Sequence, residues 1–154
     1  MGVGVMMTGL KEVQKMLKDE EKRMLKLRKQ AVIDASNLLI GDIQKSMIAT
    51  EKSPIGFLRG GKKKKHYPSL PKHPPAEMDS NLIRSVRYVI LEDSKDRVVA
   101  EVGSFNVPYA ATMEYGYAPA GIDPRPWLGP AIDRNREQIF NKFRSVMRFG
   151  EYIK

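Results

Sequence analysis

Between Thr8 and Met47 the apolar positions fall at Leu10, Val13, Leu17, Met24, Leu27, Ala31, Leu38 and Ile43, with many Lys and Glu between them. Gaps of mostly three, four and seven trace one stripe of an α-helix. Unbroken, it would run about 60 Å at about 1.5 Å per residue. That is long for a small domain, so a break is expected, if anywhere, at Asp19-Glu20-Glu21, although no Pro or Gly between Leu10 and Ile40 forces one. Thr8 suits an N-cap, but Lys11 denies it a capping box. The second half, Ala31 to Met47, is the more apolar and is predicted to pack in the core. The charged first half is predicted to project.

Residues 50–79 have no usable periodicity. Five Pro, three Gly, the run Lys62-Lys63-Lys64-Lys65 and two His predict a flexible, basic loop inserted between helix and sheet. Residues 82–91 are rich in Val, Ile and Tyr, residues 97–103 alternate Val with Ala and Glu, and Glu92 to Asp96 is turn chemistry; together they predict a β-hairpin. Tyr109 to Tyr115 is read as one or two helical turns ended by Gly116, and residues 117–126 as a Pro-rich loop. Pro130 suits the first turn of a last helix reaching about Phe149, with a stripe at Ile132, Ile139, Phe143 and Val146/Met147. Residues 1–154 thus read as one α+β domain: a long N-terminal helix, a small antiparallel sheet built on a hairpin, a C-terminal helix on one face, and a long basic Pro/Gly-rich loop. Two strands alone are marginal. A further short strand is expected near Pro119–Trp127, or from a neighbouring subunit.

The chain has 154 residues, 27 Lys+Arg against 18 Asp+Glu, a net charge of +9 and no Cys. The last count excludes disulfides, thiolate metal sites and Cys catalysis. No apolar run approaches the roughly 20 residues of a membrane span. Met1 to Leu10 lacks the basic start of a secretory signal, so a soluble protein made in the cytosol is expected. The charge is uneven: +3 over residues 1–49, +4 over 50–80, −1 over 81–130 and +3 over 131–154. A neutral centre flanked by basic segments fits nonspecific phosphate contact better than base reading, and fits equally a solubility feature with an acidic protein partner.

Catalytic signatures are missing. Neither a Walker pattern nor GxGxxG occurs. His66 and His73 lie in the loop without a matching carboxylate set, and Ser36, Ser46, Ser80 and Ser85 lack a nucleophile-elbow context. Glu114 is the one carboxylate suited to burial. Capping the neighbouring loop, or pairing with Arg125 or a subunit's Arg, explains it better than acid–base catalysis. No enzyme, cofactor or metal is expected. Lys62–Lys65 are the candidates for DNA phosphate or a partner, and Met16, Met24 and Met47 for core or interface packing.

The segment Asn106 to Ile132 carries a Tyr-Ala pair (Tyr109-Ala110), then Glu114-Tyr115-Gly116, then Arg125-Pro126-Trp127-Leu128 and Pro130-Ala131. With Thr8-Gly9-Leu10 at the start and Ser80-Asn81-Leu82-Ile83-Arg84-Ser85-Val86 before the sheet, this resembles the head–tail joining, or tail-completion, proteins of long-tailed bacteriophages. Asp79-Ser80 stands where that family usually has Thr-Gly, and the loop at 50–79 is longer and more basic. The resemblance implies a virion structural protein made in the host cytoplasm and placed in the neck. It implies a homo-oligomeric ring, six-fold like the tail, which completes tail or head and lets DNA pass. Its partners would be the head connector or adaptor and the tail terminator or tube, with no membrane. Tyr109, Ala110, Glu114, Tyr115, Gly116, Arg125, Pro126, Trp127 and Pro130 are the motif positions. A small nonspecific DNA-binding protein is the alternative.

Overall fold

A computed structural model describes residues 9–58, 65–76 and 80–151. The order of elements is α1 (Leu10–Ile48), β1 (Phe57–Leu58), β2 (Lys65–His66), α2 (Asn81–Ser85), β3 (Val86–Asp93), β4 (Val98–Ser104), α3 (Ala110–Tyr115), a 3-10 turn (Ala118–Ala120) and α4 (Gly129–Glu151). This is the α+β arrangement expected.

Helix α1 is continuous over 39 residues, about 58 Å at about 1.5 Å per residue. The acidic cluster does not break it, and two of its three carboxylates are engaged. Glu20 pairs with Arg23 one turn on, and Glu21 pairs with Lys95 at the tip of the β3–β4 hairpin. Gly9 takes the cap position with no side-chain cap bond; Thr8, the expected cap, lies outside the described residues. The two halves of α1 differ as predicted. Leu10, Val13, Met16 and Leu17 are exposed, whereas Ala31, Ala35, Leu39, Ile43 and Met47 are buried.

The core gathers Leu39, Ile43 and Met47 of α1 with Leu82, Val86, Ala110, Trp127 and Ala131. Ile43 and Met47 are completely buried, each contributing about 1.5–3 kcal/mol through removal of apolar surface from water. Helix α4 lies along α1, and Arg134 donates to Asp42 across them at 2.7 and 3.1 Å.

Four details depart from expectation. Leu82 to Ser85 form a helical turn rather than the start of a strand, because Leu82 must reach the core while Ser85 bonds back to the Leu82 carbonyl. The buried side of α4 runs through Ala131 and Asn135, leaving Ile132 exposed; a small residue lets the two helices approach closely. Ile139, Phe143 and Val146 are half-buried as that turn of the stripe requires, and the side chain of Met147 lies outside the described residues. No strand forms between Pro119 and Trp127: a single bridge pairs Tyr117 with Ile122, and among the described residues β3 and β4 make a sheet of two. Finally, parts of the 50–79 insertion are ordered, with β1 paired to β2 and Lys52 bridged to Ser69.

The hairpin runs in register from Val86↔Ser104 to Ile90↔Ala100, shifts at Leu91, and resumes at Glu92↔Val99. Its tip is latched to the middle of α1. The Arg28 guanidinium donates to the carbonyls of Lys95 and Asp96, and Lys29 pairs with Asp93. The first turns of α1 therefore extend past the point where the sheet covers it.

Candidate functional site

The motif positions converge on one bracket between α3 and α4. Helix α3 is a turn and a half, and it ends at Gly116, whose φ of 75° and ψ of 176° belong to glycine. The tight space explains the residue as well: a Cβ there would stand 2.8 Å from the Ile122 carbonyl oxygen and 2.9 Å from Pro124. Beyond it, the Tyr117 N–H donates to Ile122 O at 2.8 Å, closing a small loop around the 3-10 turn.

The chain then returns beneath α3. The Arg125 N–H donates to Met113 O at 2.7 Å. Trp127 is buried in the core, its indole N–H 3.4 Å from the Ala110 carbonyl; a small residue at 110 leaves room for the ring. Pro126 and Pro130 are half-buried on either side. Pro130 falls in the first turn of α4, where its missing N–H costs nothing.

Glu114 holds these parts together. One carboxylate oxygen accepts the main-chain N–H of Trp127 at 2.7 Å and of Leu128 at 2.9 Å, and the other accepts Gly129 N–H at 2.9 Å. These are amides that the start of α4 cannot satisfy internally, and the negative charge also favours that end of the helix dipole. Of the roles weighed for Glu114, capping is the one seen. Arg125 is not its partner; the guanidinium instead reaches Ser69 O at 3.4 Å.

The same bracket carries the foot of the insertion. Lys72 N–H donates to Pro124 O, Ser53 N–H to Pro68 O, Leu70 N–H to Glu51 O, and the Thr50 hydroxyl to Pro74 O. Around it Tyr109, Tyr115 and Tyr117 are exposed, Tyr115 at 77%. The bracket thus buries Ala110 and Trp127 and turns its tyrosines outward.

Lys65 lies exposed in β2 opposite Leu58; Lys62, Lys63 and Lys64 lie outside the described residues. His73 stands 3.8 Å from Glu51, and His66 faces Phe57 in register. Ser36, Ser46 and Ser85 donate to main-chain carbonyls of their own helices. Among the described residues no three His, Cys, Asp or Glu come together as a metal site, and no helix is long and apolar enough to cross a membrane. The latch of Arg28, Lys29 and Glu21 on the hairpin tip was not foreseen. Its partners are more than sixty residues apart, and no local pattern announces such a contact.

Comparisons with family models, with curated proteins and with solved structures return no match.

Proposed function

We propose that this chain is a virion structural protein of the neck of a long-tailed bacteriophage, a ring-forming subunit that completes tail or head and joins them around the DNA passage. The reading rests on the motif resemblance. The observation that supports it best is that the motif residues act as one unit: Glu114 clamps Trp127 to Gly129, Gly116 makes the turn, and Tyr109, Tyr115 and Tyr117 are left on the surface. Ser80 adds to it. Standing where the family carries glycine, it adopts φ 55°, a conformation that glycine serves without strain.

A ring requires one face of a subunit to meet a different face of the next. The projecting turns of α1, the exposed tyrosines and the sheet edges are the surfaces offered for it. Exposed aromatic residues favour protein contact, since they bring large area at small entropic cost.

The net charge of +9 keeps the second reading, a free nonspecific DNA-binding protein, in view. The two separate in particles made without this chain: unjoined heads and tails are expected, whereas complete, infectious particles overturn the neck assignment. Replacing Lys62–Lys65 with Ser probes the charge run. Loss of DNA retention points to the lumen, loss of joining with DNA retained points to a neighbouring ring, and unchanged particles overturn both roles.

A further inference from the structure

Among the described residues, both edges of the β3–β4 hairpin are open. Ser85 O accepts the Phe105 N–H, so with the observed register the pairs Arg87/Gly103 and Val89/Glu101 exchange the ladder bonds, because bonded and non-bonded pairs alternate. The main-chain N–H and C=O groups of Tyr88 and Ile90 on one side, and of Ala100 and Val102 on the other, therefore point away from the ladder. No described residue is bonded to them. Edges of this kind are ordinarily blunted by Pro, by Lys or by a bulge. Val86–Ile90 and Ala100–Ser104 contain neither Pro nor Lys, and the bulge lies beyond them at Leu91.

We infer that a second copy of this chain covers these edges, β3 of one subunit pairing antiparallel with β4 of the next. Charge selects this pairing over its two-fold alternatives. On the side of the sheet away from α1, β3 exposes Arg87 and β4 exposes Glu101, and Glu101 makes no ion pair with a described residue. Setting Tyr88 opposite the neighbour's Ala100 makes both their main chains exchange bonds. It also brings Arg87 directly opposite the neighbour's Glu101 in a non-bonded pair, where side chains stand closest. Pairing β3 with β3 gives Arg87 no carboxylate opposite it and, with Tyr88 set against Val86, opposes the two arginines; β4 with β4 likewise opposes the glutamates when Ala100 is set against Val102. Head-to-tail pairing also leaves no edge open once the ring closes, whereas either two-fold pairing leaves one open in every subunit. This inference deepens the ring reading above and rests on it.

The absence of native Cys makes the test clean. Arg87→Cys and Glu101→Cys are prepared separately; both positions are exposed, and directly opposed non-bonded positions suit a disulfide. Oxidation should yield cross-linked chains only when the two variants are mixed. On assembly of the unaltered chain, amide exchange at Tyr88, Ile90, Ala100 and Val102 should slow by about tenfold or more relative to the dilute protein. Cross-linking within either variant alone means two-fold pairing and overturns the inference. An oligomer by native mass with neither cross-link nor slowed exchange overturns it while leaving the ring intact. A chain that stays monomeric at every concentration also overturns it, and the particle experiment then reads the neck assignment separately.

Discussion

The carboxylate of Glu114 accepts the main-chain N–H of Trp127 at 2.7 Å, across thirteen residues of chain, and in doing so fixes where α4 begins. With Leu128 and Gly129 bound to the same group, Glu114→Ala strands three partly buried donors. A loss of about 2–4 kcal/mol is expected, read as a shift in the denaturant midpoint. Glu114→Gln should cost about half as much, since one carbonyl oxygen remains to accept. Arg125→Ala should cost less than about 1 kcal/mol, its side chain making one long bond to Ser69 O. Equal losses for Glu114 and Arg125 would contradict this division of roles.

Gly116→Ala is expected to be the more severe change. The left-handed backbone is strained for any L side chain, and the new Cβ meets the Ile122 carbonyl and the Pro124 ring, neither of which is a flexible side-chain end. About 3 kcal/mol or more should be lost. A thermal melt within about 2 °C of the parent would show that the turn relaxes freely.

Lys72 offers the opposite sign. Leu70 O accepts the His73 N–H, Pro71 occupies the second position of that turn and Lys72 the third with φ 67°, the pattern of a type II turn. Glycine belongs at that third position. Lys72→Gly should stabilise the chain by about 0.5–1 kcal/mol, while keeping the N–H that donates to Pro124 O. Lower stability in the denaturant midpoint would contradict the turn assignment.

The hairpin latch is predicted to depend on pH at both ends of the scale. The hydrogen bond from Lys95 holds the Glu21 carboxyl below its ordinary range, those from Arg97 and Ser94 hold Glu92 down, and Glu21 in turn raises Lys95. Lowered carboxyl values mean a contribution present near neutrality and lost as pH falls through and below the ordinary carboxylate range. The raised Lys95 value means a contribution lost only as pH rises past the ordinary lysine range. Protection factors at Ser94 and Arg97, whose amides close the tip, should therefore peak between these limits. They should flatten in high salt, because Glu21 and Lys95 are exposed and Glu92 is only partly covered. Lys95→Ala should remove the alkaline limb and the Glu21 part of the acid limb, leaving that of Glu92.

Much of the architecture was legible in the order of residues. The period of the α1 stripe, the Val-rich pair around Glu92–Asp96 and the Pro at the start of α4 predicted three of the principal elements, because each signal is local. Leu82–Ser85 misled for the same reason: its β-rich neighbours suggest a strand, but the pull of Leu82 into the core coils it. Ile132 looked like the face of α4 until Ala131 proved to be the residue against the core. A stripe one position off is indistinguishable by periodicity when both residues are apolar.

By itself, then, the amino-acid sequence determined α1, α3 and α4, the hairpin, the glycine turn and the uneven charge, since propensity and period act over a few neighbouring residues. Tertiary structure alone decided that Glu114 serves Trp127, Leu128 and Gly129 rather than Arg125, and that Arg28 and Lys29 hold the hairpin tip. The physical reason is that a hydrogen-bond partner is chosen by the path of the whole chain: each such contact forms only after packing around Ile43, Met47 and Trp127 has brought distant segments within reach.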